Sequence, residues 1–321
     1  MLFTLLACAT RPGLIIPVPP TPQERLASAD ETFSSRDYSG ALVQYEALVA
    51  DEDLPDQVKV EALAQTARCH SLTAGGLEAG QPYLDQALAL ASESEPLGWT
   101  RTQGVLGIYQ REAGEPEQAL QTFSEAYVYA LERELPLRAI DMAHHAAIVA
   151  PGEQQIDWAE KGIAAAEAAG SVAWLAVLYN NLGAAHEEAG DPDQALTAYR
   201  IARDHRAELE DPLGLLIADW AVAHAERLVG EPAARTHLEA VLERAQDRYL
   251  AEPTPQNAEW VGYPLEDLAE LTAAEGDTEQ ALVLLREARA RYVEAGLGEH
   301  WPEKLEAVDM RLQEWESLPP R

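Results

Sequence analysis

The sequence predicts an all-α protein, an α-solenoid (superhelix) of about seven helical hairpins that ends in a C-terminal capping helix. Three observations support this fold. One phrase recurs at 105–126, 181–202 and 267–288, each copy has a glycine followed by Asp or Glu near its middle, and small residues return at a regular interval. Because such an array grows along one axis, its 321 residues do not have to divide into separate globular cores.

The repeated phrase has a physical explanation at each position. Its copies read VLGIYQREAGEPEQALQTFSEA, NLGAAHEEAGDPDQALTAYRIA and DLAELTAAEGDTEQALVLLREA. In the second copy, Gly183 is small because the second helix of the hairpin crosses the first helix there. Gly190 ends the first helix with a residue that tolerates the left-handed backbone, and Pro192 begins the second helix where no amide donor is needed.

With these features the phrase resembles the tetratricopeptide repeat (TPR). Equivalent alanines run from Ala41 to Ala281 at spacings of about 36 to 47 residues, whereas a TPR usually has about 34. Helices longer than the minimum, as in MalT-like and kinesin-light-chain-like variants, would explain the difference. The widest spacing follows Ala234 and includes residues 252–255, whose two prolines predict an extra loop.

Residues 5–8, Leu-Leu-Ala-Cys, resemble the lipobox of a bacterial lipoprotein signal peptide. The resemblance implies that residues 1–8 are a truncated signal and that Cys8 carries the lipid. Seven residues precede Cys8 and none is basic, so a true lipoprotein would have its start upstream. The alternative is a chance match and a cytoplasmic N-terminus.

Three segments follow the lipobox. Residues 9–22 contain five prolines and predict an extended tether. The TPR resemblance covers 23–316. Within it, 302–316 predicts the capping helix, because a solenoid needs a terminal element with a polar outer side.

Charge limits the possible partners. The chain has 55 acidic and 23 basic residues and a net charge of −32. This surface repels phosphate backbones and anionic headgroups, so nucleic acid is not an expected partner. A basic protein partner is favoured, although a solvated acidic surface is the simpler interpretation. The sequence has no apolar run long enough to span a membrane, so membrane contact is expected only through a lipid anchor.

No catalytic, metal or cofactor site is predicted. Neighbouring helical residues point about 100° apart, so His144 and His145 cannot ligate one metal ion as an i, i+4 pair could. His186 and His224 lie in different hairpins, with no acidic or Cys partner at ligand spacing. Cys69 is expected to be a small core residue. An enzyme of the helical-repeat type is a second alternative, which needs a site that only coordinates can show.

In TPR proteins the first helices of successive hairpins line a concave groove. Residues 179–182, Tyr-Asn-Asn-Leu, resemble the first helix of peptide-binding TPRs, where an amide binds the peptide backbone; the alternative is that both amides face water. The groove is expected to change from Arg and His to acidic residues along the chain, so that a peptide lays its basic portion over the acidic end and Trp220 anchors it. The implied groove residues are Arg68, Arg111, His144, Asn180, Asn181, Glu187, Asp219, Trp220, Glu226, Glu266 and Glu270.

These observations predict a non-catalytic protein–protein interaction scaffold. It would be a TPR lipoprotein of the bacterial cell envelope, lipid-anchored on the periplasmic side, that binds a peptide or protein in its groove. The alternative is a cytoplasmic TPR adaptor or regulator without the lipid anchor.

Overall fold

The computed structural model describes residues 19–317, and every regular element in that range is a helix. Helices α1 to α14 follow one another as seven successive pairs, and the short α15 and the longer α16 come after them. The predicted all-α fold of seven hairpins and a C-terminal capping helix is therefore confirmed. The lipobox with Cys8 and most of the predicted tether lie outside the described residues.

The chain divides within helix α5 into two compact units, Met1–Tyr109 and Gln110–Arg321. Each unit is a stack of antiparallel helices. The helices of the first unit are α1 (Pro22–Ser34), α2 (Tyr38–Val49), α3 (Asp56–Ser71), α4 (Gly76–Leu90) and most of α5 (Pro96–Glu112).

The second unit contains the last residues of α5 and all later helices. Each odd-numbered helix from α7 to α13 is the first helix of a hairpin, and the next helix is the second. The bounds are α6 (Pro116–Glu132), α7 (Pro136–Val149), α8 (Gln154–Ala169), α9 (Val172–Glu188), α10 (Pro192–Ala207), α11 (Pro212–Val229), α12 (Ala234–Ala251), α13 (Pro255–Ala274), α14 (Thr278–Glu294), α15 (Leu297–His300) and α16 (Pro302–Glu316).

The turns and caps follow from the residues at the helix ends. Gly114, Gly190 and Gly276 have φ values of 81°, 78° and 94°, as expected for glycines that end a first helix in the left-handed conformation. Thr21 and Glu24 form a capping box at the start of α1. Pro22, assigned by the sequence to the tether, is instead the first residue of that helix, where its missing amide costs nothing.

The loop predicted at 252–255 exists, but it is too short to explain the wide repeat spacing. Helix α12 continues to Ala251 and α13 begins at Pro255, so three residues connect them. The Thr254 side chain caps α13 and Pro255 occupies its first turn, which makes this proline a helix start. The wide repeat spacing comes instead from helix length, because α12 has 18 residues and α13 has 20.

At two helix crossings of the second unit, a tyrosine ring packs against a glycine of the opposite helix. A Cβ placed on Gly183 of α9 would lie 2.5 Å from Cε1 of Tyr199, and one on Gly262 of α13 would lie 2.5 Å from Cε1 of Tyr292. Both rings are buried. The hydroxyl of Tyr199 donates to Glu187 at 3.2 Å, so the ring packs in the core while its polar end reaches a carboxylate.

In the first unit, a buried arginine is paired with carboxylates from two other helices. The Arg101 guanidinium donates to both carboxylate oxygens of Asp30, at 2.7 and 2.8 Å, and its Nε lies 3.1 Å from Glu61. The hydroxyl of Tyr45, which is fully buried, donates to the same Asp30 at 2.6 Å. Burial and the nearby Asp30 carboxylate raise the pKa of Tyr45, which keeps the hydroxyl a donor. Four helices are joined through this network.

We predict that Gly183→Ala destabilises the protein. The added methyl would overlap a rigid ring, and such overpacking costs about 1–3 kcal/mol, more than the gain in helix propensity of about 1 kcal/mol. Gly298→Ala is the matched control, because its Cβ meets nothing closer than a Leu305 carbon at 3.7 Å. The urea midpoints of the two variants should separate; equal midpoints would contradict close packing at Gly183.

Candidate functional site

Helix α9 lies between two pockets of the second unit. Leu178 and Leu182 face the core, and Gly183 packs against the next helix, which fixes the buried sides of α9. Asn180 and Asn181 are consequently left half-buried on the remaining side. The sequence thus presents two adjacent amides from a helix whose orientation the core determines.

The first pocket lies among α7, α8 and α9 and has a volume of about 290 Å³. The first helices α7 and α9 contribute His144, Ile148 and Asn181, and α8 contributes Ala159. Ile148 is 47% exposed. The pocket therefore combines an apolar surface with polar groups, as sites that receive side chains of a ligand commonly do.

Asn181 and His144 are hydrogen-bonded to each other in this pocket. Asn181 Nδ2 lies 3.0 Å from His144 Nδ1. Burial lowers the pKa of His144, so its imidazole is neutral at pH 7 and Nδ1 accepts the amide hydrogen. Within residues 19–317 this is the one hydrogen bond of the Asn181 side chain. Its carbonyl oxygen and second amide hydrogen are therefore free for a ligand.

The second pocket lies on the other flank of α9, towards α11, and has a volume of about 90 Å³. Asn180, Asn181, Arg206 and Ile217 contribute to its lining. Because Asn181 lines both pockets, its amide is at their junction. An extended peptide crossing this junction would offer a backbone N–H and C=O to the amide, with neighbouring side chains directed to either pocket.

Glu187, another predicted groove residue, belongs to a buried ionic network. Its Oε1 lies 3.1 Å from Nε2 of His224, and Nδ1 of the same ring lies 2.7 Å from Asp267 Oδ1. Burial opposes protonation of His224, but the hydrogen bonds to Asp267 and Glu187 outweigh it and raise the pKa to about 9. His224 is therefore a cation at neutral pH, between a carboxylate from α9 and one from α13.

Trp220 is attached to the same network. Its indole N–H donates to Asp267 at 2.9 Å, and its ring centroid is 4.8 Å from that of Tyr263. Arg227 donates to Asp267 at 2.8 Å and pairs with Glu270 at 2.6 Å. The indole that was predicted to anchor a peptide is thus already packed and hydrogen-bonded within the chain.

The predicted acidic end of the groove is paired within the chain. Glu266 accepts a hydrogen bond from Tyr292 at 2.6 Å and lies 2.7 Å from Lys304 Nζ and 3.1 Å from Arg311 Nη1. Arg311 also lies 2.6 Å from Glu270. Lys304 and Arg311 come from the capping helix α16. Their charges compensate the two carboxylates, which a basic peptide would otherwise be attracted to.

Asp219 and Glu226, both on α11, face the second helices α10 and α12 of the preceding hairpin and of their own hairpin. Asp219 pairs with Arg203 of α10 and Arg244 of α12. Glu226, buried, pairs with Arg200 and lies 2.6 Å from His237. The structure does not bring these two carboxylates to the α9 pockets.

The two predicted arginines are also paired locally. Arg68, in the first unit, donates to Ser71 Oγ at 2.8 Å, and Arg111 donates to Glu112 at 3.0 Å. Neither lines the pockets beside α9. Of the predicted residues, His144, Asn180 and Asn181 are the ones that line the pockets beside α9.

The described residues also bear on metal binding, thiol ionisation and membrane spanning. From residue 19 to residue 317 there is no group of three or more His, Cys, Asp and Glu side chains that could hold a metal ion. Burial raises the pKa of Cys69 to about 12, so its thiol is protonated at neutral pH. No helix in this range is long and apolar enough to cross a membrane.

Sequence reasoning missed the network of His224, Arg227 and Asp267. The acidic partners of His224 lie about one repeat away along the chain, on the neighbouring first helices. Arg227 and Asp267 are 40 residues apart, and His224 lies 37 residues after Glu187. The sequence signal for these ion pairs is the presence of opposite charges about one repeat length apart on successive first helices.

Comparison with solved structures supports the repeat fold. A Signal Transduction ATPase with Numerous Domains (STAND) protein with a tetratricopeptide repeat sensor, from Pyrococcus horikoshii, aligns with a TM-score of 0.67 and 13% identity over 89% of this chain. This chain spans 44% of that protein. BtubC (BKLC) from P. vanneervenii aligns with a TM-score of 0.53 and 17% identity, over 73% of this chain and 92% of that one. No family model and no curated protein matches the chain.

We predict that His224 makes stability pH-dependent. Its pKa is raised from 6.5 to about 9, so the stabilisation is complete below pH 6.5, falls as the pH rises and is absent above about 9. A shift of this size corresponds to about 3 kcal/mol. The free energy of unfolding of the wild type, measured in urea, should decrease over this pH range relative to that of His224→Gln. His300→Gln, at an exposed position, is the control and should behave as wild type; parallel curves for the wild type and His224→Gln would contradict the assignment.

Proposed function

We propose that this chain, which has the tetratricopeptide-repeat fold, is a non-catalytic scaffold that binds an extended segment of another protein across helix α9. The observation that carries the proposal is the position of Asn181 at the junction of two pockets, hydrogen-bonded to a neutral His144. The amide retains both a donor and an acceptor for a peptide backbone. The pockets on either side would receive side chains and give the site its specificity.

The partner segment fits this surface best where it is neutral and partly apolar. The first pocket presents Ile148, Ala184 and Ala159 beside its polar groups, with Glu188 also in its lining. A basic portion lying over the predicted acidic residues would have to displace arginines and a lysine of the chain itself, at an energetic cost. The basic character of the partner therefore stays a prediction, because the carboxylates at those positions are already paired within the chain.

Blocking the first pocket tests this function. Ala184 is exposed and lines the pocket, so we predict that Ala184→Trp fills it without disturbing the core and abolishes partner binding. Ala173→Trp is the matched control, since Ala173 is exposed on the same helix and lines neither pocket. Affinity purification of both variants and wild type, followed by quantitative mass spectrometry, should show partners lost only with Ala184→Trp. An identical partner set for all three would contradict the proposed site.

We further propose that the scaffold is a lipoprotein of the bacterial cell envelope, attached through Cys8. The support is the Leu-Leu-Ala-Cys sequence at 5–8 and the proline-rich residues 9–22 that follow it. A polyproline-type tether would extend by about 3.1 Å per residue and separate the repeats from the bilayer.

Membrane fractionation tests the anchor. Wild-type protein expressed from its native locus should be in the membrane fraction and incorporate labelled palmitate, whereas Cys8→Ser should lose both properties. Cys69→Ser is the control, because Cys69 is buried in the core. Wild-type protein that is unlabelled and remains in the cytosol would support the adaptor alternative instead.

A further inference from the structure

Three aromatic side chains of the first helices α11 and α13 contact one another and form what we call the aromatic cluster, Trp220, Trp260 and Tyr263. The ring centroid of Trp260 lies 5.8 Å from that of Trp220 and 5.0 Å from that of Tyr263. All three side chains are half-buried, and none of them lines the pockets beside α9. The cluster is therefore a partly exposed apolar surface separate from those pockets.

Trp260 is the member of the cluster that has a hydrogen-bond donor to spare. The indole N–H of Trp220 donates to Asp267, and the hydroxyl of Tyr263 donates to Glu259 at 2.9 Å. The indole N–H of Trp260 has no acceptor among residues 19–317, and it is open to solvent. A ligand on this surface can therefore accept that hydrogen.

Glu259 places an uncompensated negative charge beside the cluster. Its Oε1 accepts the hydrogen bond from Tyr263, whereas in the part of the chain that the structure describes its Oε2 has no partner and no basic side chain pairs with it. The carboxylate is half-buried. Glu266 and Glu270 on the same helix are, by contrast, both paired with cations. The charge of Glu259 therefore favours a cationic ligand.

The chain contains a filled example of the same arrangement. Lys304 Nζ lies 5.7 Å from the ring centroid of Tyr263 and 2.7 Å from Glu266, so an aromatic ring and a carboxylate bind one cation together. Glu259 precedes Glu266 by seven residues on α13, which is about two helical turns, so both carboxylates lie on the same side of the helix. Glu259 and Trp260 repeat this combination without a cation from the described chain.

The hydrogen-bonding groups indicate what kind of cation fits. A guanidinium is planar, so it can stack on an indole while its N–H groups donate to a carboxylate such as Glu259. It has no acceptor for the indole N–H of Trp260, but the backbone carbonyls next to an arginine supply one. A small quaternary ammonium ion would offer no N–H to Glu259. The surface therefore matches an arginine within a peptide.

We propose that Glu259 and the aromatic cluster bind an arginine side chain in a peptide segment of a partner protein. The guanidinium stacks on the indole of Trp260 and donates to Oε2 of Glu259. A backbone carbonyl of the peptide accepts the indole N–H. This site lies on α11 and α13, and it acts independently of the surface beside α9.

Peptide pools test the chemistry directly. Two fluorescein-labelled pools of hexapeptides have random small apolar residues around a central arginine or its neutral isostere citrulline. They are titrated by fluorescence anisotropy at physiological ionic strength, where salt screens long-range attraction to the acidic chain. We expect the wild type to bind the arginine pool about tenfold more tightly. Equal affinities would overturn the proposal. Displacement of the arginine pool by an equal concentration of choline would also overturn it, in favour of a quaternary ammonium site.

Two charge-matched variants separate the site from the general acidity of the surface. Glu259→Gln should lose the preference for the arginine pool. Glu287→Gln removes the same charge from an exposed position on α14 and should retain the preference. Ala184→Trp, which fills the first pocket beside α9, should retain it as well. A preference that survives in Glu259→Gln, or that is lost in either control, would contradict the assignment.

Indole N–H spectra of the wild type locate the binding even if a variant does not fold. The arginine pool should shift the Nε1–H resonance of Trp260, which is assigned through its contact with Tyr263. Trp174 is a half-buried tryptophan of α9 and serves as the internal control, whose resonance should stay in place. A shift of Trp174 with Trp260 unchanged would overturn the proposal.

Discussion

The contact between a glycine and a tyrosine ring sets the distance between the two helices in the α9–α10 and α13–α14 hairpins. At Gly183 and at Gly262 the ring of a tyrosine occupies the volume that any larger side chain would need. The ring contributes apolar contact area, and its hydroxyl then reaches a carboxylate, as Tyr199 reaches Glu187. The same contact therefore fixes both the packing of a hairpin and the position of an acidic group on its first helix.

The acidic groups that these tyrosines reach, Glu187 and Glu266, belong to the ionic network of the second unit. Carboxylates on α9 and α13 lie on either side of His224, and the pair of Arg227 and Asp267 adds a second link between α11 and α13. Burial makes each of these charges costly unless a partner compensates it. The network therefore constrains neighbouring hairpins to one register, and it explains why many acidic residues of the first helices are not available to a ligand.

Much of the fold could be predicted from the sequence because its determinants are local. Glycine at Gly190, proline at Pro192 and the alanine spacing each report a backbone requirement within one hairpin. The same logic overestimated the loop at 252–255, since a Thr-Pro pair also marks a helix start, and the capping by Thr254 begins α13 at Pro255. Asn180 and Asn181 were identified through the family resemblance, and their position beside two pockets depends on which sides of α9 the core covers.

The ionic partners could not be predicted in this way. The sequence predicts that Glu266 lines a groove and attracts a basic peptide. In the structure it is buried, hydrogen-bonded to Tyr292 and ion-paired with Lys304 and Arg311. Those partners lie 26 to 45 residues further along the chain. Composition and periodicity give the number of charges on each helix but do not give their facing partners. Only the three-dimensional arrangement of the hairpins does.

Pairing across a whole repeat has a consequence for how such a gene can change. Tandem arrays commonly gain and lose units by unequal recombination, and identical units survive this because any neighbour is acceptable. Here the loss of the α11–α12 hairpin would place Glu187 where it meets Asp267 in place of the imidazolium of His224. Two carboxylates at a buried junction repel each other. The α11–α12 hairpin is therefore specific to its two neighbours, and its removal would cost more than the loss of an interchangeable unit.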